Sequence, residues 1–186
     1  QLIARARMQN KPLLVVEGTD DITVYEAFSK KAGISTLVRA VETFDGYSEG
    51  CVHVRNLISD AQSEINKSPE NEKFILGIID RDASYYRDEH NETLKCLFML
   101  NAYSYESHFV TKEHAEYVIQ NMVNSAFGIN DKIVDFIISD LEGIYGELYY
   151  ISLEALKHAC IRDYQGLLGY SSTYGYIKNK QDIVNE

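Results

Sequence analysis

Carboxylates crowd into two short stretches of this sequence, each at the end of an apolar run. Glu17, Asp20 and Asp21 follow the run LLVV, and Asp80 and Asp82 follow the run FILGII. Like charges so close together repel one another, so each cluster costs stability unless a positive group lies beside it. Oxygen ligands with no nearby Cys or His pair favour Mg²⁺ or Mn²⁺ over zinc. The sequence therefore predicts a divalent-cation site.

The tripeptide Asp80-Arg81-Asp82 has a spacing that suits a metal ion. In an extended chain, residues i and i+2 point to the same side, about 6.5 to 7 Å apart. Two carboxylates at that distance can share one divalent cation or hold one each. The side chain of Arg81 alternates away from them, so it is a candidate phosphate contact and equally a candidate ion-pair partner.

Each acidic cluster also has a purely structural explanation. Asp20 and Asp21 suit the N-cap and first turn of a helix, where the helix dipole favours negative charge. We prefer that role for Asp20. Asp80 and Asp82 can be solvated turn acids, with Arg81 as a screening partner. The position of both clusters at the ends of apolar runs favours a site.

Apolar periodicity predicts alternating strands and helices over the first half of the chain. Short apolar runs predict three strands, and segments with helical periodicity separate them. We expect the first helix to be capped by Thr19 or Asp20 and to end at Gly33. By the right-handed crossover rule, this order gives a parallel α/β sheet. The predicted strands are 13–16, 36–41 and 74–79, and the second helix is 50–67, with Val54, Leu57, Ala61 and Ile65 on one face.

The predicted sheet places the acids at one edge. The carboxyl ends of parallel strands are where α/β folds bind ligands. Glu17 closes the first strand, and Asp80 and Asp82 close the third. The run FILGII is apolar on both faces and is therefore predicted to be central. If these two strands are neighbours, the three acids converge.

The second half of the chain has a different sequence pattern. Residues 85–93 read as a polar loop, residues 95–106 could supply another strand, and residues 111–164 are mostly helical. The fourteen tyrosines are interpreted as amphipathic rings on packed helices in preference to a base-stacking platform. The chain begins without Met, so we expect a trimmed fragment. That the helical part is itself truncated stays an open alternative.

Composition limits the classes of function. The net charge of −10 argues against an affinity that rests on neutralising phosphates, so a grip on nucleic acid must come from a local basic patch, a metal or a partner chain. There is no run of about eighteen apolar residues, so we expect no membrane span. The three isolated cysteines are typical of reduced thiols in the cytoplasm.

The motif residues resemble those of the TOPRIM domain. They are Val16-Glu17-Gly18, Asp21 four residues after the Glu, and Asp80-Arg81-Asp82 at the end of an apolar strand. The stretches GIIDRD and YSYE (103–106) are most similar to OLD-like, ATPase-associated bacterial TOPRIM proteins, a group that includes the toxic effector subunit of the PARIS anti-phage system. The resemblance implies a TOPRIM-like central parallel sheet flanked by helices, with a catalytic domain over 1–110 and a mainly helical extension over 111–186.

The resemblance also implies roles for individual residues. Glu17 is expected to be a metal ligand or general acid/base, and Asp80 and Asp82 are expected to hold Mg²⁺ or Mn²⁺. Asp21 matches a further metal-binding acid, and Glu106 an additional one. No tyrosine stands out as a strand-passing nucleophile, and the chain is too short for the companion domains of a primase or topoisomerase.

The expected function is therefore a Mg²⁺-dependent endonuclease acting as the toxic effector of an anti-phage system. The expected substrate is RNA, including tRNA, or DNA, with RNA preferred. An ABC- or AAA-type ATPase partner would control the effector, which we expect to be a cytoplasmic homodimer when active. The net charge of −10 leads us to expect weak binding of nucleic acid by the isolated chain.

Two other functions are compatible with the same features. A non-catalytic regulatory or scaffold subunit would use the fold only to bind an ATPase, and the acidic surface and helical second half favour it. Primase-like synthesis would instead incorporate nucleotides on a template. Mg²⁺-dependent cleavage separates the nuclease from both.

Overall fold

The core of the protein is a parallel sheet, described here from a computed structural model. The structure describes residues 2–89, 93–109, 111–123, 131–161 and 163–164. The strands are β1 (Leu13–Val16), β2 (Leu37–Ala40), β3 (Ile75–Ile79) and β4 (Leu97–Met99). They form one four-stranded sheet in the order β2-β1-β3-β4, and every pairing is parallel.

Helices connect and follow these strands. This confirms the predicted α/β class, with a central parallel sheet flanked by helices. The described residues from 111 onward are mainly helical. α1 lies ahead of the first strand and was not predicted. In the described part of the chain the α-helices are α1 (Leu2–Gln9), α2 (Thr19–Lys31), α3 (Cys51–Ile65), α4 (Ala83–Tyr86), α5 (Lys112–Val123) and α6 (Asp131–Cys160).

The chain divides into two compact units. Among the described residues, the first unit contains 2–81 and 93–104, and the second contains 82–89 and those from 105 onward. The whole sheet belongs to the first unit, and α4, α5 and α6 belong to the second. The expected division at residue 110 stays a prediction about domains. No helix within the described ranges is both long and apolar enough to cross a membrane.

The core is formed by one face of the sheet with α1 and α3. The crossovers β1-α2-β2 and β2-α3-β3 step in opposite directions along the sheet, so right-handed connections place α2 and α3 on opposite faces. Because β1 and β3 are covered in this way, their sequences are continuous apolar runs. The largest fully buried side chains of the first unit are Ile3, Val15, Val16, Val41, Val54, Ile58, Ile65, Ile75 and Ile79.

Gly77 permits the close approach of α3 to β3. A Cβ atom at this position would lie 2.6 Å from Cγ1 of Ile58 and 3.0 Å from Cγ1 of Val54. Both distances are shorter than an ordinary carbon–carbon contact of about 3.5–4.0 Å. Any side chain at residue 77 would therefore push α3 away from the strand that leads to Asp80.

Candidate metal centre at the carboxyl ends of β1 and β3

The two central strands bring Glu17 and Asp80 together. β1 pairs directly with β3, with Val15 opposite Gly77, which confirms that the two strands are neighbours. The backbone N–H of Asp80 donates a hydrogen bond of 2.7 Å to Oε1 of Glu17. The backbone carbonyl of Glu17 accepts a second bond, of 3.1 Å, from the N–H of Gly50. Both the backbone and the carboxylate of Glu17 are therefore anchored at this edge of the sheet.

Asp21 lies in the turn that follows Glu17. α2 begins at Thr19 with Gly18 as its N-cap residue, so the expectation that Thr19 or Asp20 caps the helix is wrong. The N–H of Gly18 donates to Oδ2 of Asp21 at 3.0 Å, the return contact that an acid makes from the third helical position. Asp20 is an exposed first-turn acid. Asp21 therefore has a capping role next to Glu17.

Asp82 is the N-cap residue of α4 in the second unit. Its Oδ1 accepts a hydrogen bond of 2.9 Å from the N–H of Ser84 and another from the Ser84 hydroxyl. Ser84 is buried, with 4% of its surface exposed. These contacts give Asp82 a structural role, and its role as a metal ligand stays a prediction.

Arg81 and Glu106 were the additional candidates. The N–H of Arg81 donates to the carbonyl of Ala102 at 3.4 Å, and its Nη2 contacts Oδ1 of Asn101 at 3.5 Å. These contacts direct Arg81 toward the segment after β4. Glu106 lies within the 3₁₀ helix Tyr105–Phe109, but its side chain is outside the described part of the structure. Its expected role stays a prediction.

Two acids that the sequence interpretation did not single out lie near the same edge. The carboxylate of Glu49 lies against Gly18, and its Oε1 is 3.0 Å from the position a Cβ would take there. Glu42 follows β2, in which Ala40 lies opposite Val16. Oε2 of Glu42 is buried and has no hydrogen-bond partner among the described residues. Glu42 follows the second predicted strand as Glu17 follows the first, and that signal could have found it.

The chemistry of these side chains suits a hard divalent cation. The edge offers carboxylate oxygens from Glu17, Asp21 and Asp80, which are the donors that Mg²⁺ and Mn²⁺ prefer. The buried Oε2 of Glu42 is an acceptor that a cation or its bound water would satisfy. Within the described ranges, no three Asp, Glu, His or Cys side chains already stand in an arrangement that could hold an ion. The carboxylate oxygens are the right kind of ligand for such a cation, but side-chain rotations would have to bring them within reach of one ion.

Known proteins give no further guide to this site. Comparisons of the chain with protein-family models, with curated proteins and with solved structures found no match. The assignment to the TOPRIM family therefore stays a hypothesis carried by its motif residues.

Proposed function

We propose that this protein is a Mg²⁺-dependent, TOPRIM-like endonuclease that cleaves phosphodiester bonds. The observation that carries the proposal is the hydrogen bond from the Asp80 N–H to Glu17 Oε1 at 2.7 Å. It holds two acids from neighbouring parallel strands at the sheet edge where α/β folds bind ligands. Their types and positions match the two TOPRIM motifs.

The proposed roles follow from where each side chain is held. A Mg²⁺ or Mn²⁺ ion at this edge would neutralise phosphate charge and lower the pKa of a bound water. Glu17 and Asp80 would be its principal ligands, and Asp21 would contribute a further oxygen. Asp82 stays the additional ligand that the TOPRIM resemblance predicts. Because Glu17 is fixed through both its backbone and its carboxylate, it is also the residue best placed to accept a proton from water.

The proposed biological setting is bacterial anti-phage defence. The resemblance to ATPase-associated TOPRIM proteins supports a toxic, cytoplasmic effector that an ABC- or AAA-type ATPase restrains and that acts as a homodimer. RNA, including tRNA, is the preferred substrate class, and DNA is the alternative. The net charge of −10 supports dependence on a partner, because an acidic protein repels phosphate backbones.

A cleavage assay tests this function. Total RNA and plasmid DNA are incubated with the protein and Mg²⁺, with and without the ATPase partner and its trigger. Wild type should cut at least one of them, Mn²⁺ should replace Mg²⁺, and Glu17→Gln should abolish cleavage. Asp20→Asn, which removes a neighbouring exposed acid, should cleave like wild type. Equal inactivity of wild type and Glu17→Gln with partner and trigger present would overturn the proposal.

The scaffold function is the second candidate, and the capping contacts of Asp21 and Asp82 favour it. Both acids hydrogen-bond within their own turns, which explains them without any metal. A scaffold would bind the ATPase equally well as wild type and as Glu17→Gln, with no Mg²⁺-dependent product from either. Under the nuclease proposal, binding is likewise retained, but only the wild type yields product.

A further inference from the structure

A cavity of about 230 Å³ lies beside α1, between that helix and the edge of the sheet. We call it the arginine pocket because Arg5 of α1 and Arg39 of β2 both line it, with Leu13, Leu37, Phe44 and Asp45. All of these residues belong to the first unit. The pocket therefore combines two permanent positive charges with an apolar wall.

The arginines of this pocket differ from Arg7 and Arg87, which have polar partners. Arg87 pairs with Glu89 at 2.6 Å, and Arg7 donates to Oδ1 of Asn71 at 3.0 Å. The guanidinium groups of Arg5 and Arg39, like that of Arg55 on α3, make no hydrogen bond or ion pair with any residue that the structure describes.

The chain is rich in carboxylates. It carries 28 Asp and Glu against 18 Lys and Arg, so acceptors are abundant. Asp45 also lines the pocket but forms an ion pair with neither Arg5 nor Arg39. Two uncompensated guanidinium groups against one carboxylate leave the pocket with a surplus of positive charge, whereas the whole chain is strongly negative. The surplus suits an anionic ligand.

The residues that line the pocket restrict the class of anion that it can bind. Guanidinium groups match phosphate oxygens geometrically and bind them through charge-assisted hydrogen bonds. Leu13, Leu37 and the ring of Phe44 offer apolar surface next to them, which a bare inorganic anion would not use. A phosphate that carries a flat organic ring satisfies both halves of the pocket.

We propose that the arginine pocket binds a phosphate ester of a nucleotide or nucleic-acid strand, with the phosphate between Arg5 and Arg39 and the base against Phe44. The choice of nucleic acid among phosphate esters rests on the proposed nuclease function.

The pocket lies close to the candidate metal centre. Arg39 is opposite Val15 in the sheet, and Val15 is two residues before Glu17. From the rise along a strand and the spacing between strands, the Cα atoms of Arg39 and Glu17 are roughly 8 Å apart. A nucleic-acid strand bound in the pocket would therefore pass close to the acidic edge of the sheet. The positive charge of the two arginines would offset the repulsion between the negatively charged protein and the phosphates.

Binding measured in EDTA tests the pocket separately from cleavage. Fluorescence anisotropy follows a labelled short single-stranded RNA, and competition measures AMP. Arg5→Gln and Arg39→Gln should each weaken binding by about tenfold or more, since each removes charge-assisted hydrogen bonds, and should reduce the salt dependence. Arg55→Gln on α3 is the matched control, because it removes the same charge outside the pocket. Circular dichroism and thermal melting establish that each variant is folded, and Arg39→Lys, which keeps the charge, should retain part of the binding.

The outcomes separate the two ligand sources and the two proposals. RNA that binds more tightly than AMP identifies a strand-binding site, and equal affinities identify a nucleotide site. If Glu17→Gln loses cleavage but keeps RNA binding, the result supports the metal centre and leaves the pocket proposal unaffected. Absence of RNA and AMP binding by wild type would overturn the pocket proposal, as would equal effects of Arg39→Gln and Arg55→Gln.

Discussion

Replacing Gly77 by Ala tests the packing of α3 on β3, on which the position of Asp80 depends. The new methyl group would lie 2.6 Å from Cγ1 of Ile58, 3.0 Å from Cγ1 of Val54 and 3.2 Å from Cδ1 of Ile58. Optimal carbon contacts are about 3.5–4.0 Å, so α3 and β3 must separate by roughly 1 Å. Ile58 and Val54 are fully buried, which leaves neither side chain an open direction in which to move.

The expected loss of stability follows from this overlap. Overpacking of a well-packed core costs about 1–3 kcal/mol. For a chain of this size, each kcal/mol lowers Tm by about 2–4 °C, so Gly77→Ala should melt about 2–12 °C below wild type. Circular dichroism during heating and urea titration measures the change.

A second glycine provides the control for this experiment. Gly146 is exposed on α6, and a Cβ there would meet nothing within 4 Å. Because Ala is a better helix former than Gly, Gly146→Ala should raise stability by about 0.5–1 kcal/mol. The same Gly→Ala substitution is therefore expected to lower stability at residue 77 and to raise it at residue 146. A Gly77→Ala protein that melts at or above the wild-type temperature would refute the close approach of α3 to β3.

Two further predictions concern polar contacts of the first unit. The pKa of Tyr47 is raised to about 12, first by its hydrogen bond to Asp60 and then by burial and the charge of Asp60. Since an unperturbed tyrosine has a pKa of about 10, this stabilisation is complete below pH ~10 and is lost as the pH rises through ~12. Tyr47→Phe should remove that part of the loss of stability at alkaline pH. In an ultraviolet titration of the tyrosines it should also remove one phenol with a raised pKa, and an unchanged titration would contradict the raised pKa of Tyr47. Asn71 is buried and donates to the carbonyl of Glu64 at 2.7 Å, so Asn71→Ala should cost about 1–3 kcal/mol, measured as a lower urea midpoint, and an unchanged midpoint would count against this contact.

The strands and the first polar residues after them could be predicted from sequence. A parallel strand covered on both faces needs an uninterrupted apolar run, and β1 and β3 have such runs. Glu17 and Asp80 are the residues that end them, so their position at the sheet edge followed directly. β4 has three residues and an exposed Phe98. Its pattern was too short to delimit it within residues 95–106.

Contacts between distant or capping residues could not be predicted. Gly18 caps α2 although glycine has no side chain to signal that role, and Asp82 is fixed by Ser84, which the sequence did not mark as buried. Arg5 and Arg39 line the same pocket only because α1 packs beside the sheet. α1 has two buried residues in eight, too few for a recognisable helical period.

A titration with Mg²⁺ tests most directly whether the acids at the ends of β1 and β3 hold a divalent cation. Isothermal calorimetry is carried out on EDTA-treated protein, comparing wild type, Asp80→Asn and Asp20→Asn. Asp80→Asn keeps the backbone N–H that bonds Glu17 and removes only one charge, and Asp20→Asn removes an equal charge from an exposed neighbour. Saturable binding by wild type and Asp20→Asn, with binding lost in Asp80→Asn, is the predicted result. Equal binding by all three proteins, or binding by none, would contradict the assignment of this edge as a metal centre.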